Sequence, residues 1–451
     1  MSVRRSLEMR RLIYPVLVLM FLGVQGVVAG PKIQTWVAEK GGRVLFVPTE
    51  GLPVLDARLL FDAGSAREGK EFGLASLTAN LLMSGSGDQD ADAIASRLDA
   101  VGAQISTGAS RDSAFIALRT LTAPRQLAEA LEIFKLVVAH PRFDKKDFDR
   151  ERSRVLLGIR QRGEDPSELA EISFMQALYG DHPYAHPVDG QLESVEKLTE
   201  AQALQFHKSL YTARNGTLVL VGEISREQAE ALAAGVFSGL PEGLPSAPLE
   251  DPIQKEAKDA VRISFPSEQT HVRAGLLGVK ADDPDYFPLV VGNHILGGSG
   301  LVSRIMEEVR EKRGLAYSAY SYFLPMRVQG PFEVGLESKN ASAGEALAVA
   351  LRTLRDFVEK GPTEKALAAA KKNIVGGYVL RLDSNAKLIG EIAAIASLGR
   401  PLDWLDTYTR KVEAVTAEEV RKAYKRRVDP DKLQVILVGD GKAEVSGSPQ
   451  K

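Results

Sequence analysis

Two distant stretches of this chain match, and the match constrains its fold more than any other feature. Val195-Glu-Lys-Leu-Thr199, a helix-patterned run to Leu210 and Thr217-Leu-Val-Leu-Val-Gly-Glu223 recur as Val412-Glu-Ala-Val-Thr416 through Gln434-Val-Ile-Leu-Val-Gly-Asp440, at a constant offset of 217 residues with no gap. Each copy places a Thr at a helix start, then an amphipathic helix, then a continuous apolar strand that ends in Gly. A chain of 451 residues is too long for a single core, so the repeat predicts two tandem copies of a unit of roughly 200 residues.

Within the first copy the patterns predict strands over 54–61 and 114–119, and helices over 72–83, 91–101, 125–139 and 145–162. The second copy shows strands over 272–278, 317–323 and 330–337, with helices over 342–360 and 363–380. Strands and helices segregate, which places the chain in the α+β class. Pro241 to Pro252 holds four Pro and few apolar residues and reads as the linker. The domain reading is therefore a unit over 31–240, a linker over 241–258, a unit over 259–440 and a disordered tail over 441–451.

The N-terminus stands apart. Arg4, Arg5, Arg10 and Arg11 precede an apolar run from Leu12 to Val24, and Val27-Val-Ala29 offers small residues for cleavage. This is the pattern of a cleavable export signal over 1–30. The apolar run is shorter than the ~20 residues a bilayer span needs, so no stable membrane anchor is expected. The chain has no cysteine, hence neither a disulfide nor a lipid-modified Cys, and the periplasm of a double-membraned bacterium is the expected compartment. A net charge of −2 gives no basic footprint for nucleic acid.

Gly73-Leu-Ala-Ser-Leu-Thr-Ala-Asn80 resembles the inverted zinc helix G-L-A-H-x-x-E-H of the pitrilysin/insulinase family, the inverzincins. In such a helix two His one turn apart grip the metal, and the Glu acts as general base. Those places hold Ser76, Ala79 and Asn80 here, and the family's distal Glu ligand falls on Leu157, taken as a buried residue. The resemblance extends along the chain: Gly297-Gly-Ser-Gly-Leu-Val-Ser-Arg304 is similar to the family's Gly-rich turn, and Val309-Arg-Glu-Lys-Arg-Gly-Leu-Ala-Tyr317 to its substrate-contacting segment.

The resemblance implies two antiparallel-rich sheets packed on helices, arranged as a clamshell half that leaves one face of each sheet exposed. It implies no metal in this chain, which would be inactive alone, and zinc in a partner subunit bearing the intact motif. Arg310 and Tyr317 would act in that partner's site on an extended peptide. A scaffold or peptide-binding protein of the same fold is the alternative, and a nucleophilic Ser76 a weaker one, since no base stands beside it in sequence.

Other features have plainer readings. His182-Pro-Tyr-Ala-His186 has ligand-like spacing, but Pro183 interrupts a helix there, and it resembles a structural turn of the same family. His294 reads as a packed or capping residue. Gly297-Gly-Ser-Gly300 lacks the endings that cradle phosphate and reads as a flexible turn between helices.

Overall fold

The computed structural model describes residues 31–257 and 259–440. The export signal expected over 1–30 and the tail expected over 441–451 lie outside the described residues. From Ile33 onward the described residues form one compact unit. The first copy supplies β1 (Gln34–Val37), β2 (Arg43–Pro48), β3 (Val54–Phe61), the short β4 (Gly85–Ser86) and β5 (Gln89–Asp90), β6 (Gln104–Ala109), β7 (Ala114–Leu121) and β8 (Gly216–Gly222). The second supplies β9 (Val261–Ser264), β10 (Gln269–Leu277), β11 (Ala316–Phe323), β12 (Pro331–Lys339) and β13 (Gln434–Gly439).

These strands form a six-stranded sheet in the order β1-β2-β8-β3-β7-β6, a five-stranded sheet in the order β11-β12-β10-β13-β9, and the β4–β5 pair. The repeat is visible in the pairing. β8 lies parallel to β2 and antiparallel to β3, as β13 lies parallel to β9 and antiparallel to β10. Each repeated helix opens with a reciprocal cap: Gln202 N–H donates to Thr199 Oγ1 while Thr199 N–H donates to Gln202 Oε1, and Glu419 and Thr416 do the same.

The strands β8 and β13 are apolar at nearly every position because both faces of each sheet are covered at these strands. One face receives the copy's own helices. The other receives a helix from the opposite copy: Pro166–Tyr179 crosses β10 and β13, while Asn385–Ser397 crosses β3 and β8. Ala170, Phe174 and Leu178 share a buried cluster with Ile436 and Val438; Ile389 and Ile392 share one with Leu60, Val219 and Val221. The fit is close. A Cβ on Gly275 would stand 2.7 Å from the Phe174 ring and 2.1 Å from the Phe332 carbonyl oxygen.

The exchange covers the inner face only over β3, β8, β10 and β13; the same face of β6 and β7 stays open, with Gln104, Ser106 and Arg119 exposed, so the expected exposed sheet face is reduced rather than lost. The sequence reading includes neither helix, and their partner is a sheet that periodicity cannot name. The other elements fall within a few residues of their expected bounds. The helix expected over 72–83 runs over Leu74–Leu81, because Gly73 adopts a left-handed φ of 98° just ahead of it. No helix among the described residues is long and apolar enough to cross a membrane.

Candidate functional site

Helix Leu74–Leu81 carries the degenerate motif, and its N-terminus is held by a carboxyl group. Glu68 accepts from Gly73 N–H at 2.9 Å and Ala75 N–H at 2.8 Å, so two donors that begin the helix are satisfied by one buried side chain. Burial raises Glu68 to about 8, and the backbone amides of Ala75, Gly73 and Leu74 offset only part of that shift. His186 Nδ1 lies 3.5 Å from Glu68 Oε1, and its ring stacks on Phe72. Gly73 meets Gly190 closely: a Cβ on Gly73 would come 2.7 Å from the Asp189 carbonyl oxygen, and one on Gly190 would come 2.3 Å from that of Phe72. Only glycines allow the loop to approach this far, and the approach sets Asp189 over the helix.

There Ser76 Oγ donates to Asp189 Oδ1 at 2.7 Å, and Arg162 Nη2 donates to Asp189 Oδ2 at 2.5 Å. A Ser–Asp–Arg chain thus occupies the place where the family's first zinc-binding His would sit. Ala79 is fully buried and contributes a methyl group. Leu157 is 54% exposed on the helix Lys145–Gly163, which corrects the expectation of a buried residue; Phe148 and Val155 are the residues this helix buries. The four positions hold a hydroxyl engaged by Asp189, a methyl, an amide and an exposed isobutyl group. This donor set does not fit zinc, which takes thiolate, imidazole or carboxylate ligands. Among the described residues no group of three or more His, Cys, Asp or Glu is placed to hold a metal.

Sequence reasoning missed Glu68, Asp189 and Arg162. Asp189 lies 113 residues from Ser76, so no local spacing could reveal it. It also bears on the nucleophile reading, because a carboxylate does stand beside Ser76. That carboxylate is occupied by Arg162, and the hydroxyl is buried beneath the loop.

The second candidate pair lies in the other copy. Arg310 sits in a π-helical turn, Glu307–Glu311, where Lys312 N–H donates to the Glu307 carbonyl; such turns recur at functional sites. Tyr317 is the extra residue of a β-bulge. Ala316 pairs with Ser338 and Ser318 with Glu337, leaving Tyr317 without an opposite residue on β11, the outer strand of its sheet. It is 75% exposed, and the Arg310 guanidinium lies 5.1 Å from its ring centroid. Arg310 and Tyr317 are therefore brought together. Among the described residues no hydrogen bond, ion pair or ring contact joins them to Ser76, Ala79, Asn80 or Leu157.

The Gly-rich turn positions this strand. Gly297 is buried in a second π-helical turn, His294–Gly298, and a Cβ there would come 2.2 Å from Ser321 N on β11. Asn293 Nδ2 donates to the Ser321 carbonyl, and Ser321 Oγ donates to Asn293 Oδ1. The expected turn is close-packed at its first residue, where glycine is needed for approach, while Gly298 and Gly300 are exposed and a Cβ on Gly300 would meet nothing within 4 Å. The histidines are structural. His182 Nδ1 accepts from Tyr184 N–H, and His182 Nε2 lies 3.1 Å from the Glu250 carbonyl oxygen; His186 Nδ1 lies 3.0 Å from that of Pro187. Burial lowers both, and His294 likewise.

A duplicated sheet-and-helix unit, with an inverted-motif helix in the first copy and an Arg/Tyr bulge in the second, defines the architecture of a pitrilysin-type peptidase shell. Residues 43–191 match the insulinase family (peptidase family M16), and residues 197–374 match the peptidase M16 inactive domain. The chain belongs to this family. It is 30% identical over 384 residues to an uncharacterized zinc protease of Mycobacterium tuberculosis, covering 83% of this chain and 87% of that one. It is 24% identical over 439 residues to the non-peptidase homolog YmxG of Helicobacter pylori, covering 97% and 100%. A crystal structure of the peptidase M16 inactive domain from Pseudomonas fluorescens superposes with a TM-score of 0.88 at 38% identity, covering 91% of this chain and 99% of that one.

Proposed function

We propose that this chain is an inactive member of its family, that it partners an exported, zinc-bearing relative, and that it supplies Arg310 and Tyr317 to peptide hydrolysis in that partner's site. The observation that carries the reading is the Arg310–Tyr317 pair: an exposed phenol on a bulge of an outer strand, with a guanidinium over its ring. A tyrosine that served packing would be covered. The emptied motif supports the same division of labour, as do the names of the relatives, one a non-peptidase homolog and one an inactive domain. The basic and apolar N-terminal pattern supports export to the periplasm.

In this reading the partner holds the metal, the attacking water and the general base. Tyr317 donates a hydrogen bond to the scissile carbonyl as it gains negative charge, and Arg310 steadies the phenol and the substrate backbone. The free edge of an outer strand takes up the extended peptide through main-chain hydrogen bonds.

The test is steady-state peptide cleavage by the chain reconstituted with its zinc-bearing partner. Tyr317→Phe removes one donor and keeps the ring, so kcat should fall by ~10²–10³ while KM changes little. Arg310→Ala should weaken both. Normal assembly, checked by gel filtration, together with wild-type turnover of the Phe variant would leave a scaffold or peptide-binding role as the better reading.

A further inference from the structure

Strand register makes two arginines equivalent. Arg58 on β3 stands opposite Ala117 on β7 and Val219 on β8. Arg273 on β10 stands opposite Gly335 on β12 and Ile436 on β13, and Val219 and Ile436 are related by the 217-residue offset of the repeat. Arg273 reaches the helix Pro166–Tyr179 through Ser167, and Arg58 shares a cavity with Ile389 of the helix Asn385–Ser397, so both face the exchanged helix.

Their surroundings differ. Arg273 Nε lies 3.2 Å from Oε1 of the fully buried Glu333 and 3.8 Å from Oε2 of Glu171 on the exchanged helix, its Nη1 donates to the Tyr320 hydroxyl, and its Nη2 donates to Ser167 Oγ at 3.1 Å. Tyr322 completes the set by donating to Glu333 Oε2. In the first copy, register puts Phe115 at the place of Glu333, Ser106 at that of Tyr320 and Gly108 at that of Tyr322. The Arg58 side chain makes no hydrogen bond or ion pair among the described residues. Its guanidinium lies 4.1 Å from the Phe115 ring centroid, and its Nε is buried without a hydrogen bond, as is Arg273 Nε; what Arg58 lacks is the carboxylate that stands beside Arg273.

The smaller side chains leave a cavity of about 430 Å³, lined in part by Asp56, Arg58, Gln104, Ser106, Arg119 and Ile389. Asp56 is 6% exposed and does not serve as the counter-ion for Arg58: it pairs with Arg119 at 3.6 Å, at the place where the other copy sets His271 3.6 Å from Glu337. The Asp56 Oδ2 atom is also buried without a partner. One positive charge is therefore left over in the lining, and burial pushes Arg58 below the usual arginine range. The Arg58 guanidinium is half-buried, with its Nε sealed from water and no anion beside it, and a carboxylate is the group that partners such a donor best.

We propose that this cavity binds a carboxylate carried by a peptide, the group that the second copy supplies to Arg273 from its own chain as Glu333. The mouth lies at Gln104 and Ser106, exposed residues on the outer strand β6. The inference rests on the peptide-handling reading only for what carries the carboxylate. The cavity and Arg58 belong to this chain alone, so its test needs neither a partner nor turnover, and the Tyr317 result does not bear on it.

Three ten-residue peptides of Ala, Ser and Val, each labelled at the N-terminus with a dansyl group, which carries no carboxylate, serve as probes: one with a central Glu and an amidated end, one with a central Gln and a free C-terminus, and one with a central Gln and an amidated end. Fluorescence anisotropy on the full chain should show one or both carboxylate-bearing peptides binding about tenfold tighter than the uncharged one, the expected size for a charged hydrogen bond. Which of the two gains tells whether a side chain or a chain end is taken. Arg58→Met keeps the stem over Phe115 and should make all three bind alike. Phe115→Glu, a second variant that places a carboxylate where the second copy has one, should fill the cavity from within and also remove the preference. Equal binding of the three probes by the wild type, or a preference that survives either folded variant, overturns the proposal.

Discussion

Glu68 shows what a single side chain contributes at the emptied motif. Its folded value of about 8 lies above the ordinary 4.5, so between those values the native chain holds a proton that the unfolded chain has released. The stability it contributes is fully present below about pH 4.5 and is lost as pH rises through about 8. His186 acts in the opposite sense, since burial lowers it and its cost appears as pH falls below 6.5. The difference between wild type and Glu68→Gln isolates the carboxyl group. The wild-type advantage in unfolding midpoint should shrink as pH is raised from 5 to 8.5, and a constant gap across that range would show the carboxyl to be ionised throughout. At this scale the sequence exposed substituted positions but not their replacements. Ser76, Ala79 and Asn80 were legible because a short motif fixes their spacing; Asp189 and Arg162 reach Ser76 only through a loop that two glycines allow to close.

Elements were more legible than contacts. The runs over 54–61, 272–278 and 317–323 have strand patterns, and Thr199 and Thr416 mark helix starts that the structure closes with capping boxes. The exchanged helices are the exception. Phe174, fully buried at the centre of one of them, packs on a sheet built from residues far along the chain. Phe174→Ala should cost about 3–5 kcal/mol, read from urea denaturation with an unchanged slope, because Gly275 offers no side chain to collapse into the space. A loss below about 1 kcal/mol would mean that the helix is only loosely seated. The same logic explains why Gly297, which opens a segment that reads as a flexible turn, is closely packed: the demand on it comes from Ser321, a residue on another element.

The molecule as a whole should behave as one cooperative body although it contains two copies. Each sheet depends on a helix from the other copy, so neither copy can complete its core alone. Calorimetry should give a single transition whose calorimetric and van't Hoff enthalpies agree. Cleavage at the exposed Leu244 should leave the two fragments together on gel filtration under native conditions. Two resolved transitions, or fragments that separate without denaturant, would contradict the interlocked core. The duplication was legible from the constant 217-residue offset; the interlock was not, because an offset records likeness and carries no information about which copy's helix covers which sheet.

The reciprocal exchange of helices also bears on ancestry. A single unit of this kind could bury its inner face only by trading that helix with a second, identical molecule, so the present chain has the topology of a swapped homodimer joined end to end. In such a homodimer both arginines would be the same residue in the same setting. Once two copies share one chain that symmetry is no longer imposed, and the two positions are free to differ, as they do here: Arg273 is met by Glu333 and Glu171 of its own chain, and Arg58 by no carboxylate among the described residues.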